Sequence, residues 1–151
     1  MPNFKGHLAG GVFIYLVVFY WIVSNQTVSL TTSLEWLLFA LAGSLFPDVD
    51  TKSKGQKIFY WIVLFLSALL LSMSHMEAFV ILGFLSLFPL LVRHRGIFHR
   101  TWFVILVPSA VAAFCCMYMP NCSAIIFYDT LFFIMGALSH LWLDVGIKGM
   151  L

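Results

Sequence analysis

Long apolar segments constrain this 151-residue chain more than any other feature of its sequence. They cover residues 8–23, 34–46, 58–73, 78–92, 101–119 and 124–143, and polar breaks separate them. Only 9% of the residues are charged, whereas a soluble domain carries about a quarter. Because so few charges cannot cover a water-facing surface, the chain is predicted to be an integral membrane protein.

Helices are the structure predicted for these segments, since lipid does not tolerate unpaired backbone groups. We expect an all-α, polytopic membrane bundle of about six transmembrane or partly buried helices, folded as a single domain over residues 1–151. Several segments are shorter than the roughly 20 residues that span a bilayer core, so four full spans and two partial ones are the alternative. The first segment lacks a clear signal-peptide cleavage site and is interpreted as an uncleaved helix.

Basic residues predict the orientation of the chain. With six spans, all 8 lysines and arginines fall on one side, because every second break contains none. The positive-inside rule makes that side cytoplasmic, with both termini inside. The net charge of +2 is too small to indicate a nucleic acid partner, so the lipid bilayer is the partner that composition predicts.

Residues of the types that bind metals gather at the same predicted membrane face. They come from separate segments and comprise His7, Asp48, Asp50, His94, His99, His140 and Asp144. The other histidine and acidic residues fall near the opposite face. The three cysteines have no metal-site spacing and are interpreted as packing residues or unreactive thiols. The sequence therefore predicts one cluster of ligands at one end of the helices.

The segment SHLWLD places His140 and Asp144 four residues apart, on one helical face with about 6 Å between their Cβ atoms. An imidazole and a carboxylate at this spacing can share one divalent cation. The alternative is a histidine at a helix end that pairs with a neighbouring carboxylate. An ionisable residue inside a membrane helix is costly, which favours the functional interpretation.

Weaker signals come from the N-terminal half. In the segment PDVD, Pro47 disfavours helical geometry in the preceding residue, and Asp48 and Asp50 follow in a turn. Two such carboxylates can face one ion or bridge two, or form an ordinary acidic turn.

His7 is a lone histidine just before the first helix, where close helix approach at Gly10 and Gly11 is possible.

The segment HRGIFHR is the most unusual. His94 and His99 are five residues apart, and Gly96 permits a sharp turn between them. Arg95 and Arg100 beside a hydrolytic metal would bind an anion such as phosphate. The alternative for the arginines is that they only anchor the chain to lipid headgroups.

In their order along the chain, His7 and the motifs PDxD, HRGxxHR and SHxxLD resemble the membrane-bound metal-dependent hydrolases of the YdjM-type inner-membrane family. The resemblance implies distant similarity to zinc-dependent phospholipases C and P1-type nucleases, which are all-helical with clustered zinc sites. The usual form HRGxTHS reads HRGIFHR here, so Phe98 and Arg100 stand where small hydroxyl residues are usual. The ligand residues remain, whereas the substrate specificity is expected to differ.

The residues and the resemblance together predict metal-assisted hydrolysis at a bacterial-type inner membrane. One or two zinc ions would be held by the residues His94, His99, His140, Asp48, Asp50 and Asp144, with His7 as a further candidate. Manganese or iron would also suit these ligands. Asp48 or Asp50 would serve as general base instead of ligand, and Arg95 or Arg100 would hold a phosphoryl group. A phospholipid or another lipid-linked phosphoester is the expected substrate.

Two other classes of protein remain open at this stage. In a transporter or proton relay, ionisable groups would be spread along a path at different depths. In a structural membrane subunit, a metal would only tie the segments together. The sequence names neither the number of metals nor the oligomeric state.

Overall fold

The computed structural model describes residues 3–50, 53–91 and 97–150, and all of the regular structure in these ranges is helical. Six α-helices follow one another along the chain: α1 (Phe4–Val23), α2 (Leu30–Leu45), α3 (Lys54–Ser72), α4 (Met76–Leu91), α5 (Thr101–Tyr118) and α6 (Ser123–Met150). Short 3-10 turns occupy Phe46–Asp50, Ile97–His99 and Pro120–Cys122. The predicted all-α fold is confirmed.

The N-termini of α1, α2 and α3 show why these helices extend beyond the apolar segments. The side chains of Asn3, Ser29 and Ser53 each accept a hydrogen bond at 3.1 Å from the backbone N–H three residues further on. Such caps satisfy N–H groups that a helix start leaves without partners, so polar residues enter the first turn. His7 accordingly lies in the first turn of α1, and the prediction that it precedes the helix is wrong.

Helices α1, α2, α5 and α6 form the first of two packed units. This unit comprises the chain up to Pro47 and the chain from Phe98 onward. Within it, α6 packs against α1, α2 and α5. Gly43 and Gly136 allow α2 and α6 to approach at backbone distance. A Cβ atom at Gly43 would collide with the Phe133 carbonyl, and one at Gly136 with the Ala40 carbonyl. Small residues at such crossings are typical of helix association in membranes.

An aromatic cluster forms the core of this unit at one end of α2 and α6. The Trp36 ring stacks on Phe132, with centroids 5.0 Å apart and 21° between the planes. Tyr15 packs against Phe132 from α1, and its hydroxyl lies 3.1 Å from the Ser33 carbonyl and 2.8 Å from the Ser33 Oγ. The buried phenol is thus both packed and hydrogen-bonded, which fixes α1 against α2.

Helices α3 and α4 form the second unit, which covers Asp48–Ile97. A short turn joins the two helices, and Ser74 in this turn adopts a left-handed conformation with φ 60°. The Tyr60 hydroxyl donates a hydrogen bond of 2.9 Å to the Ser86 carbonyl and links α3 to α4. The unit is therefore a helical hairpin.

The helices carry apolar surface that suits lipid. Five helical segments are long and apolar enough to cross a membrane, and α2 reaches that length together with the 3-10 turn that follows it, as Leu30–Asp50. Helix α4, with 16 residues, is shorter. Large apolar side chains stay exposed on the helices, such as Tyr20 at 79% and Met117 at 80%. Soluble proteins rarely expose apolar side chains on this scale. The predicted membrane class is confirmed, whereas the orientation of the termini stays a prediction.

Candidate metal centre

Helix α6 supplies the first two members of a buried cluster. His140 and Asp144 are one turn apart, and the His140 Nε2 lies 3.6 Å from the Asp144 Oδ2. The His140 side chain is fully buried and the Asp144 side chain is 5% exposed. The spacing predicted from SHLWLD therefore brings the two groups to the same point.

Helix α1 places His7 beside the carboxylate of Asp144. The His7 Nε2 lies 3.4 Å from the Asp144 Oδ1, and the His7 side chain is only 4% exposed. The approach of α1 depends on Gly10 and Gly11, because a Cβ atom at Gly10 would press on Leu143 and one at Gly11 on Ser44. No described residue hydrogen-bonds the His7 Nδ1, so the protein leaves the tautomer of this ring open.

The 3-10 turn Ile97–His99 adds the third imidazole. The His99 Nε2 lies 3.8 Å from the Asp144 Oδ2, and the His99 ring packs edge-on against His140 with centroids 5.7 Å apart. Phe98, which is 2% exposed, anchors this turn by packing edge-on against Phe46 and Phe103. Phe98 therefore fixes the place of the neighbouring His99.

The backbone of α2 orients His140. The His140 Nδ1 lies 2.7 Å from the Ser44 carbonyl oxygen. A carbonyl only accepts hydrogen bonds, so Nδ1 carries the proton and Nε2 of the neutral ring carries a lone pair that faces Asp144. This arrangement, in which a backbone carbonyl fixes the tautomer of a histidine, is common among metal-binding histidines. Sequence reasoning missed Ser44, because every residue has a carbonyl group.

The distances within the cluster are longer than hydrogen bonds but suit the ligands of a cation. The three N···O separations of 3.4, 3.6 and 3.8 Å exceed the usual hydrogen-bond range. Two ligands of a tetrahedral zinc ion, each at about 2.0–2.1 Å, lie about 3.4 Å apart. The ligand atoms of His7, His140 and Asp144 all lie within 4.8 Å of one another. The residues therefore fit a metal ion.

The stacking of His7 on His140 limits how the two rings can share that ion. Their centroids are 3.7 Å apart and their planes differ by 15°. The nitrogen lone pair of an imidazole lies in the ring plane, and one ion cannot lie in both of two nearly parallel planes. The arrangement therefore fits two ions, or one ion after one ring turns.

Arg100, Asp48 and Asp50 are the other predicted site residues within the described part of the chain. Arg100 is exposed at the N-cap of α5, directly after His99. Asp48 and Asp50 belong to the second unit, where the Ser53 hydroxyl donates a 3.0 Å hydrogen bond to the Asp48 carbonyl, and their role as ligands stays a prediction. His94 and Arg95 lie outside the described residues.

Comparison with known proteins gives one match. A family model described as "YdjM inner membrane protein" matches residues 1–148. No curated protein and no solved structure matches the chain significantly. The family match covers every residue of the cluster.

Proposed function

Given that the chain belongs to the YdjM inner membrane protein family, we propose that it is a metal-dependent hydrolase that cleaves a phosphoester on a lipid-linked substrate. One observation carries this proposal. Three imidazoles from separate parts of the first unit surround the buried carboxylate of Asp144 at 3.4–3.8 Å. Zinc suits this mixture of nitrogen and oxygen ligands, and manganese or iron would also suit it.

The electrostatics of the cluster favour a cation. His140 donates from Nδ1 to the Ser44 carbonyl, so the lone pair of its neutral ring faces the Asp144 carboxylate. Two electron-rich atoms face each other favourably only with a positive charge between them, either a metal ion or a proton on the ring. Two bound metal ions, or one ion after one ring turns, would serve all three imidazoles, whereas one proton serves a single ring.

The catalytic chemistry follows from such a site. A zinc ion held by these residues would lower the pKa of its bound water to about 7, and would so supply hydroxide at neutral pH. His140, held by Ser44, and Asp144 would keep the ligand geometry fixed during the reaction. Arg100 follows His99 directly and is exposed, so its guanidinium is free to hold a phosphoryl oxygen.

Ligands from the turn after α2 would complete the centre. Asp48 is separated from Ser44 by only three residues, and Ser44 itself contacts His140. We therefore assign Asp48 or Asp50 as a further ligand or as the general base. His94 and Arg95 keep the same predicted roles as ligand and phosphoryl-binding group.

A lipid substrate is supported by an apolar groove between α1 and α6. Its volume is about 480 Å³, and its wall includes Gly6 and Ser139, the chain neighbours of His7 and His140. Phe13 and Met135 line it further along the two helices. An acyl chain in this groove would leave its headgroup beside the cluster. We place this reaction at the cytoplasmic face, as the distribution of basic residues predicts.

Metal content tests the proposal first. Wild-type protein purified in detergent is expected to hold one or two zinc ions per chain by elemental analysis. His140→Ala is expected to lose most of this metal, since each of four ligands contributes about 3 kcal/mol, or more than 100-fold in affinity. His75→Ala is the matched control, because His75 is exposed in the turn between α3 and α4. Equal metal in wild type and His140→Ala would refute the ligand assignment.

Activity then separates a hydrolase from a protein with a structural metal. A chromogenic phosphodiester, p-nitrophenylphosphorylcholine, is expected to be cleaved by zinc-loaded wild type and not by His140→Ala. Arg100→Ala should keep its zinc and lose turnover. A protein that binds zinc but hydrolyses neither this compound nor phospholipid vesicles would have a structural site instead.

A further inference from the structure

Asp129 is a buried acid near the start of α6, about three helical turns before His140 of the histidine cluster. It lies in α6 and is 8% exposed. No described residue hydrogen-bonds its Oδ1 atom. Ionisable groups within membrane helices are costly and face a partner or a cavity. Asp129 therefore requires an explanation that packing alone does not supply.

A groove opens beside this carboxyl group. It lies among α2, α5 and α6, has a volume of about 380 Å³, and is lined by Asp129 together with mostly apolar side chains. Three of these are the aromatic rings of Phe39, Phe46 and Phe133. Val111 of α5 also lines the groove and is 57% exposed, so the groove is open toward the lipid side of the helices.

The helices around the groove supply no positive charge for Asp129. Neither α2 nor α5 contains a lysine or arginine. In α6, Lys148 is the single basic residue, and it is about five turns beyond Asp129. The carboxylate of Glu35 repels the carboxylate of Asp129. A positive partner would therefore have to come from outside these helices.

We propose that this groove binds a hydrophobic organic cation that enters from the bilayer. The Asp129 carboxylate would face the charge of an ammonium or phosphonium group, and the apolar walls would hold its hydrocarbon substituents. Aromatic rings such as Phe39 and Phe133 add cation–π attraction. The volume lies in the range of small-molecule sites.

The chemistry of the groove excludes other ligand classes. An anion would meet Asp129 and the field of Glu35, both of the same sign. A fully apolar molecule would fill the groove but leave the carboxyl oxygen without a partner. A hydrophobic cation satisfies both the charge and the walls. None of the histidines of the metal centre lines this groove, so the inference does not depend on the hydrolase proposal.

Equilibrium binding of radiolabelled tetraphenylphosphonium to the full chain in lipid nanodiscs tests this proposal. Wild type is expected to bind one cation per chain saturably. Asp129→Asn keeps the shape and removes the charge, so binding should weaken by about tenfold or more. Glu35→Gln is the matched control, since Glu35 does not line the groove, and its affinity should change far less.

A second variant and a neutral competitor complete the test. Val111→Trp fills the groove from its lipid side without touching the charge, and it should also abolish saturable binding. Tetraphenylmethane, the neutral analogue, should not displace the cation. Unchanged affinity in Asp129→Asn, or equal displacement by tetraphenylmethane, would overturn the proposal. The melting temperature of each variant is also measured. A variant that melts at the wild-type temperature but binds weakly has lost binding and not its fold.

Discussion

Replacing Gly136 by alanine tests how the packing of two helices supports the candidate metal centre. A Cβ atom at this position would meet three backbone atoms of α2, among them the Ala40 carbonyl carbon and the Ser44 nitrogen at 2.9 Å. Backbone atoms cannot rotate away, so α2 and α6 would have to separate by about 1.5 Å to restore ordinary contact with the Ala40 carbonyl. The 2.7 Å contact from His140 to the Ser44 carbonyl would then exceed hydrogen-bond distance.

The expected loss in the free energy of unfolding is about 2 kcal/mol. Overpacking of this kind costs about 1–3 kcal/mol, and the buried hydrogen bond contributes about 1 kcal/mol. The higher helix propensity of alanine offsets about 1 kcal/mol of this loss. For a chain of this length, the melting temperature should fall by roughly 4–8 °C.

Thermal unfolding in detergent, followed by tryptophan fluorescence, measures this effect. Gly83→Ala is the matched control, because Gly83 also lies within a helix but a Cβ atom there would meet nothing within 4 Å. It should unfold at the wild-type temperature or slightly above it. If Gly136→Ala also melts like wild type, α2 and α6 do not approach as closely as described, and the orientation of His140 by α2 loses its basis.

Three further changes have defined expected outcomes. Tyr15→Phe removes the hydroxyl that contacts Ser33, and should lower the unfolding free energy by about 1 kcal/mol in the same melting assay; an unchanged melting temperature would contradict the bond. Gly146 has φ 66° and ψ 175°, a conformation that side chains disfavour, so Gly146→Ala should cost about 1–3 kcal/mol; a stabilised variant would mean that α6 runs straight through. Single cysteines at Ser29 and Lys54, in a chain without its own cysteines, should react with membrane-impermeant maleimide from opposite sides. Labelling from one side would refute the predicted topology.

The sequence by itself determined the class and the helices of this protein. Hydrophobicity and the scarcity of charge act over neighbouring residues, so the apolar segments predicted helical membrane structure before any packing was known. The helix boundaries were less well predicted, because Asn3, Ser29 and Ser53 are polar and yet cap helices. The pair His140 and Asp144 was also predictable, since one helical turn fixes its spacing.

Only the tertiary structure decided how other groups meet that pair. His7 and His99 reach Asp144 from distant parts of the chain, and no local pattern specifies such an approach. It depends on close helix crossings at glycines such as Gly136 and on the burial of Phe98. The Ser44 carbonyl that orients His140 is chemically identical to every other backbone carbonyl. Its role arises from position in space, which the packing of α2 against α6 sets.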